Sequence, residues 1–311
     1  MTLLALSLLA ACGDEEGNPG VSDLDRDWYV IEDNPGDPVD HERFLIYDQY
    51  GVSVYYNDTV GSMIRQDRWG NDYRHYEVLQ VFYAPGSPKP EGGFTLLDDK
   101  DVLLPALAYA REEVFGRVPA AMRSVPVLFV GDMTCAEYAE PDFYRGFCAL
   151  LVKAIPGFGE LPDAGRRELD VRLLGGLFYG ELVSAESGWL NTEFYAVSRA
   201  LNPDPYTDVY STTGTWGGQS VSNACYGTDL ELSLNALGFL RPLEESDLPE
   251  EEWYTPTPML DVMSYAELLF RHTPAEVEQM YASYPVVLQK YRMMRAKAEV
   301  SVEEPNANSS I

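Results

Sequence analysis

A long apolar helix near the middle of the chain places the strongest constraint on the fold. Pro162-Asp163 marks its start, because proline and an acidic residue are both favoured in the first turn of a helix. Large apolar side chains then recur at helical spacing to about Val183, at Leu169, Leu173, Leu174, Leu177 and Phe178. A stripe this apolar must be covered by other layers of structure. The pattern therefore predicts a central helix around which the rest of the chain packs.

Strand patterns dominate the chain before this helix. Short runs of apolar, β-branched and aromatic residues predict strands at residues 43–57, Glu77–Tyr83, Val125–Val130 and Cys148–Ile155. One helix is predicted among them, at Leu103–Phe115.

Helical patterns dominate the chain after it. Helices are predicted at Thr192–Leu201, Leu230–Leu240, Pro258–Phe270 and from Pro285 to about Ala298. The segment Thr273-Pro274-Ala275-Glu276 is a capping box that starts a further helix. Residues 203–227, rich in Gly, Ser, Thr and Tyr, predict a long loop. The order indicates one α+β domain, residues 41–297, with N-terminal strands and one helix, then a mainly helical half and a polar tail at 298–311.

The N-terminus resembles that of a bacterial lipoprotein precursor. The apolar run in residues 1–11 is too short to span a bilayer, which takes ~20 residues, and suits a signal peptide. Leu9-Ala10-Ala11-Cys12 resembles the lipobox read by lipoprotein signal peptidase, although no Lys or Arg precedes the run. The resemblance implies that residues 1–11 are removed and that Cys12 carries lipid.

Residues 12–40 are rich in Asp, Glu, Gly and Pro, which predicts a flexible acidic tether. Its first residues, Gly13-Asp14-Glu15-Glu16, resemble the surface-export signal of Bacteroidetes lipoproteins. The resemblance implies a lipid-anchored protein of the outer membrane that is exposed at the cell surface. A simple solvated tether, with the body facing the periplasm, is the alternative.

Composition narrows the class of partner. The net charge of −28 argues against nucleic acid and anionic head groups, because phosphate binding relies on Lys and Arg. A hydrophobic content of 46% supports a sizeable core. If Cys12 carries lipid, three cysteines remain: Cys135, Cys148 and Cys225. An exported protein can form one disulfide among them, and Cys135 and Cys148 are the nearest pair in the sequence.

Several segments together resemble the lipoprotein zinc metallohydrolases encoded beside TonB-dependent nutrient importers in Bacteroidetes, a zincin-like group. Besides the lipobox, they are Tyr47–Asp58, Gly238-Phe239, Asp261–Glu267 and Lys290-Tyr291. The resemblance implies a zincin-like fold, an importer complex as partner, and a zinc site. Zincins bind the metal with H-E-x-x-H on a helix, where both His share one face and the Glu acts as general base.

The zinc-binding motif itself is missing. The three histidines, His41, His75 and His272, are not spaced to form it. In the central helix its place is best matched by Gly176-Leu177-Phe178-Tyr179-Gly180, so that Gly176 and Gly180 replace the histidines and Leu177 the Glu. The later acidic ligand would fall at Leu260. We therefore expect no zinc and no other cofactor, with these four positions as the vestige of a metal site.

The glycines have a second interpretation. Each glycine inside a helix costs ~1 kcal/mol relative to alanine, and three occur here, at positions 175, 176 and 180. Close packing of another element against the helix would also select glycine. This alternative needs no lost enzyme, and it too predicts no metal at these positions.

Loop aromatics are the candidate ligand-binding residues. They are Trp189, Tyr210, Trp216, Trp253 and Tyr254, which would flank the former cleft. Interior packing is the alternative for each. Together these features predict a surface lipoprotein without catalytic activity that assists the capture of a peptide or glycan by a TonB-dependent importer. The alternatives are an active metallopeptidase with an unorthodox site and a structural partner of the outer-membrane machinery.

Overall fold

A computed structural model describes residues 27–82, 92–97, 99–135, 141–201, 208–210, 212–216, 219–222, 234–240 and 255–303. The predicted α+β class is confirmed, with helices concentrated in the C-terminal half. The strands are β1 (Val54–Tyr55), β2 (Thr59–Gln66), β3 (Asp72–Val78), β4 (Gly92–Leu96), β5 (Val127–Cys135), β6 (Phe143–Arg145), β7 (Leu150–Lys153), β8 (Thr212–Trp216) and β9 (Gln219–Ser222).

The helices are α1 (Pro38–Tyr50), α2 (Leu103–Tyr109), α3 (Asp163–Asp170), α4 (Gly176–Ala185), α5 (Ser187–Trp189), α6 (Tyr195–Arg199), α7 (Pro258–Arg271), α8 (Pro274–Met280) and α9 (Pro285–Glu303). Three π-helical segments extend them: Ala110–Val114 follows α2, Val171–Gly175 joins α3 to α4, and Leu190–Phe194 joins α5 to α6.

A mixed sheet centred on β5 forms the middle layer. β1 and β7 run parallel to β5, β4 pairs antiparallel with its second half, and β6 pairs antiparallel with β7. Both faces of the sheet are covered, because Val127 and Phe129 pack in the helical core while Leu128 and Val130 pack in a smaller cluster. Burial on both faces accounts for the nearly continuous apolar sequence of β5 and β7, and their predicted strands are confirmed.

Residues 43–50 belong to helix α1, so the strand predicted for residues 43–57 is wrong over most of its length. The Asp37 side chain accepts hydrogen bonds from the backbone N–H groups of Val39 and Asp40, and Pro38 occupies the first turn. Gly51, with φ +71°, ends the helix in the left-handed conformation. These cap signals outweigh the apolar alternation.

The body begins earlier than the predicted boundary at residue 41. Ile31 is buried in the smaller apolar cluster against the sheet. The Ser53 hydroxyl donates a hydrogen bond to the Tyr29 carbonyl at 2.6 Å. The described part of the predicted tether, residues 27–40, therefore packs on the domain, whereas Cys12 lies outside the described residues.

The central helix is confirmed from Asp163 to Ala185, with a π-helical turn in its middle. Helices α2, α7 and α9 also form where predicted, and α8 begins with the predicted capping box at Thr273. The predicted long loop at 203–227 contains the antiparallel pair β8–β9. The helix predicted at Leu230–Leu240 is only a 3-10 turn at Leu234–Leu237 in its described part, because Gly238, with φ +85°, ends it.

A fully buried ion pair joins the C-terminal helices. Lys290 Nζ on α9 lies 2.6 Å from Asp261 Oδ2 on α7, and neither side chain is exposed. Tyr210 donates its hydroxyl proton to the same carboxylate oxygen at 2.7 Å, and Lys290 also donates to Ser198 Oγ of α6 at 3.1 Å. Burial raises the pKa of Asp261 and lowers the pKa of Lys290, and their mutual attraction opposes both changes.

An aromatic cage encloses the ammonium group of Lys290. Its Nζ lies 4.4 Å from the ring centroid of Phe194, 5.1 Å from that of Phe239 and 5.0 Å from that of Tyr265. Tyr265 in turn donates to the Gly238 carbonyl at 2.9 Å. The C-terminal segments that carry the family resemblance thus meet in one buried cluster, which is structural.

We predict that Lys290→Met destabilises the protein by about 3–5 kcal/mol, because it leaves a buried carboxylate without its counterion. The double variant Lys290→Met with Asp261→Asn should recover much of this loss, since Asn still accepts from Tyr210 without a charge. Urea denaturation would measure the free energies of unfolding. As a control, Arg292→Met breaks the exposed pair with Glu278 and should cost less than about 1 kcal/mol. A loss for Lys290→Met as small as this control would contradict the prediction.

Candidate functional site

The glycine face of the central helix, formed by Gly176 and Gly180, is filled by side chains from the sheet. A Cβ atom at position 176 would lie 2.7 Å from Leu150 Cδ1 and 3.1 Å from Phe143 Cδ2. A Cβ atom at position 180 would lie 2.8 Å from Arg145 Cδ. Gly176 and Gly180 share one face, as their spacing predicts, but that face carries the edge of the sheet.

Arg145 fixes the outer end of the glycine face. Its guanidinium donates to the carbonyl oxygens of Gly146 and Ala149, and burial lowers the pKa of this guanidinium. Its aliphatic stem then lies against Gly180. The alternative explanation of the glycines, close packing, has a direct physical cause in these contacts.

The other two positions predicted for the vestigial site lie elsewhere. Leu177 points away from the glycine face into an apolar cavity with Leu174 and Phe178. Leu260 is buried on α7, and α7 contacts the central helix at Gly175, where a Cβ atom would lie 3.8 Å from the Ala266 carbonyl oxygen. Leu260 precedes Ala266 by six residues, about 9 Å along a helix. The structure therefore does not bring the four positions together on one face.

Among the described residues, no group of three or more His, Cys, Asp or Glu side chains is arranged to hold a metal ion. His41 contacts Asp33 and His75 contacts Glu77, each on a different part of the surface. Cys135 and Cys148 are not joined by a disulfide, and the Cys148 thiol lies 3.2 Å from the Gln80 carbonyl oxygen. Cys225 lies outside the described residues.

The structure does not show the predicted ligand-binding aromatics as one cluster on the surface. Tyr210 is buried and donates to Asp261, so the expectation that it flanks an open cleft is wrong. Trp189 is half-buried, with its ring 5.8 Å from that of Phe194 and the Lys297 ammonium 5.1 Å from its centroid. Trp216 lies in β8, and nothing further is described for its side chain. Trp253 and Tyr254 lie outside the described residues.

Exposed aromatic side chains occur instead on the β2–β3 hairpin, which residue patterns did not single out. Residues opposite each other across the hairpin share a face, and one face points to solvent. We call this the exposed hairpin face; it consists of Ile64, Gln66, Asp72, Arg74 and Tyr76, with Trp69 at the tip. On the other face Trp28 contacts Gly61, whereas Tyr73 is 46% exposed.

Polar cross-strand bonds hold the side chains of this face in place. Gln66 donates to Asp72 at 3.0 Å, and Arg74 donates to the Ser62 hydroxyl at 3.1 Å. Tyr76, opposite Ser62 across the hairpin, is 57% exposed. The face thus combines apolar surface with amide, carboxylate and guanidinium groups in defined positions.

The hairpin tip is organised by one carboxylate. Asp67 accepts hydrogen bonds from the backbone N–H groups of Trp69 and Asn71 and from the Asn71 side chain, and these bonds lower the pKa of Asp67. Gly70 supplies the positive φ that the turn requires, +83°. Trp69 is 71% exposed, and the Arg68 guanidinium lies 4.0 Å from its ring centroid. The sequence signal for this tip is Asp67 followed by Gly70-Asn71 between two alternating runs.

Comparison with known proteins found no family model, curated sequence or solved structure that matches the chain. The zincin-like relationship and the importer partnership therefore stay predictions. Within the described ranges, no helix has the length and apolar character needed to cross a bilayer.

We predict that Gly176→Ala destabilises the protein by about 1–3 kcal/mol, because the new methyl group meets the buried side chains of Leu150 and Phe143. Gly188 offers a matched control on the neighbouring helix, since nothing lies within 4 Å of its Cβ position. Gly188→Ala should be neutral or stabilise by about 0.5–1 kcal/mol. Thermal or urea unfolding would measure both, and equal effects at the two positions would contradict the packing explanation.

The same packing bears on reconstruction of a zinc site. The combined substitutions Gly176→His, Leu177→Glu, Gly180→His and Leu260→Glu should not give a folded zinc protein, because the imidazoles have no space. Stoichiometric zinc in a well-folded quadruple variant would refute this and favour a vestigial metal site.

Proposed function

We propose that the protein is a non-catalytic accessory in nutrient capture, held by lipid on Cys12 at the outer membrane and facing the cell exterior. The body is of the zincin-like type that the family resemblance implies. Its task is to bind a glycan and present it to a TonB-dependent importer. The alternatives, an active metallopeptidase and a structural partner of the outer-membrane machinery, are separated from it below.

The absence of catalysis is supported by the filled glycine face. A zincin needs two imidazoles, a base and an open coordination position on one side of its helix. Here Leu150, Phe143 and Arg145 occupy that side of α4. A ligand that enters a zincin cleft would have to displace buried core side chains, so binding falls to another surface.

Glycan binding is supported by the exposed hairpin face. Sugar rings have apolar C–H surfaces that stack on aromatic rings such as those of Trp69 and Tyr76, and hydroxyl groups that pair with planar polar side chains. Arg74, Gln66 and Asp72 supply those polar groups. Because cross-strand bonds and the Asp67 turn already fix these residues, little conformational entropy is lost on binding.

The binding test uses the full chain with Cys12→Ala, purified without detergent, on an array of oligosaccharides and peptides. We predict glycan binding that Trp69→Ala weakens about tenfold or more, equivalent to ~1.4 kcal/mol. Phe147→Ala is the matched control, since Phe147 is 68% exposed but lies on the β6–β7 turn. Equal effects of the two substitutions, or binding of peptides alone, would overturn the glycan assignment. Stoichiometric zinc together with peptide cleavage would favour the active metallopeptidase. Binding of neither glycans nor peptides would favour the structural partner of the outer-membrane machinery.

The anchoring test concerns Cys12 alone. In growing cells a radiolabelled or alkyne-tagged fatty acid should label the wild-type protein, and Cys12→Ala should abolish the label and release the protein from the membrane fraction. Added protease should digest the wild-type protein on intact cells if the body faces outward. Labelling that persists in Cys12→Ala would refute lipidation at this residue, and protection from protease would place the body in the periplasm.

A further inference from the structure

Two adjoining cavities lie between the central helix, α7 and α9. The first, which we call the apolar cavity, has a volume of about 410 Å³. Its walls include the buried side chains of Met122, Leu174, Leu177 and Phe178, and its one charged lining residue is Arg117. A volume in this range with a mainly apolar lining is typical of a small-molecule site.

The second cavity, which we call the polar cavity, has a volume of about 340 Å³ and adjoins the first. Arg117, Phe270 and Ala298 line both cavities. The charged residues that line the polar cavity are Arg117, Arg295 and Glu299, so its lining has a net positive charge in a chain whose net charge is −28.

A buried hydroxyl in the wall of the polar cavity lacks a partner. Tyr291 lines this cavity and is 1% exposed, yet its hydroxyl makes no hydrogen bond to any part of the chain that the structure describes. Leaving such a group unsatisfied costs about 1–3 kcal/mol, so buried hydroxyls normally have a partner. The hydroxyl oxygen itself is closed off from solvent, so a ligand oxygen in the polar cavity would supply the acceptor after a small movement of the side chains that cover it.

The two guanidiniums retain donors for such a ligand. Arg117 uses Nη1 for Asp170, which also accepts from Tyr109, and about half of the Arg117 side chain is exposed. Arg295 uses Nε for Glu299 one helical turn away. A guanidinium has five N–H donors, so each arginine can also bond to an anion.

Irregular helix geometry occurs beside the same cavities. The π-helical segment Val171–Gly175 includes Leu174 of the apolar cavity, and Ala110–Val114 ends just before Gly116 and Arg117. Isolated π-helical turns within α-helices are often found at functional sites.

We propose that these cavities form a binding site for a single-chain amphiphile with a carboxylate head, such as a fatty acid. The alkyl chain occupies the apolar cavity against Leu174, Leu177 and Phe178. The carboxylate lies in the polar cavity, where it accepts the Tyr291 hydroxyl proton and hydrogen bonds from Arg117 and Arg295. This site lies on other residues than the exposed hairpin face and does not depend on glycan binding.

The test is calorimetric titration of the full chain, with Cys12→Ala and free of detergent, with monomeric laurate, dodecanol and dodecylamine. Laurate should bind, dodecanol more weakly and dodecylamine least. Ala298→Trp, which fills the wall shared by the two cavities, should lower laurate affinity about tenfold or more. No binding of laurate, or binding that Ala298→Trp leaves unchanged, would overturn the site.

Substitutions in the polar cavity separate head-group recognition from apolar packing. Tyr291→Phe and Arg295→Gln should each weaken laurate binding about five- to tenfold and change dodecanol binding less than about twofold. Arg292→Gln, on the same helix but outside both cavities, is the matched control. Tyr291→Phe should not destabilise the free protein, because the substitution removes an unsatisfied hydroxyl. Equal losses for laurate and dodecanol would refute carboxylate recognition.

The natural amphiphile could be a free fatty acid or one drawn from a membrane. Incubation with vesicles of phosphatidylglycerol that contain labelled palmitate would distinguish the two sources. Transfer of the label to protein that elutes free of vesicles would support extraction from a membrane. Binding of monomeric laurate without such transfer would support capture of the free acid.

Discussion

The contact between Lys290 and Asp261 is the interaction on which the C-terminal half depends. It joins α9 to α7, and through Ser198 and Tyr210 it also holds α6 and the segment at residues 208–210. A buried ion pair of this kind need not add net stability relative to apolar residues of the same shape. We infer that its effect is on specificity, because any other arrangement of these helices would leave one or both charges buried without a counterion. The aromatic cage reinforces this choice, since ring faces favour the ammonium group only at this position.

The central helix depends on a different constraint, which is volume. Where β6 and β7 cross it, the sheet presents Phe143, Leu150 and Arg145, and only glycine leaves space for them. The cost of glycine in a helix, about 1 kcal/mol each, is offset by burial of these side chains. Packing therefore explains Gly176 and Gly180 without reference to an ancestral metal site. It also explains why an open cleft, which a metallohydrolase needs, does not fit on this side of the helix.

Sequence patterns predicted the elements whose signals are local. The central helix, the strand at Val127, α7 and the capping box at Thr273 follow from spacing and cap residues within a few turns. Helix α1 does not follow from the sequence pattern, because the apolar alternation at residues 43–57 competes with the signal of the Asp37-Pro38 cap. The candidate sites depend on contacts distant in sequence, such as Asp261 with Lys290, that no local pattern specifies. Tyr210 is the clearest case, because its partner Asp261 lies 51 residues away and turns a possible surface aromatic into a core hydroxyl.

Local charge decides which ligands such an acidic protein can bind. At physiological ionic strength charges are screened beyond about 8 Å, so the net charge of −28 acts on a ligand mainly through nearby groups. On the β2–β3 hairpin, three arginines balance three carboxylates, Arg65, Arg68 and Arg74 against Asp67, Asp72 and Glu77. A neutral surface with exposed rings suits an uncharged glycan and offers little to a polyanion. At the polar cavity Asp170 pairs with Arg117, and Glu299 pairs with Arg295. The carboxylate of a ligand would therefore bind only where it accepts hydrogen bonds directly from Tyr291 and from the remaining guanidinium donors. If both proposed assignments hold, these surfaces select their ligands by hydrogen-bond geometry within a field that repels anions at every less specific site.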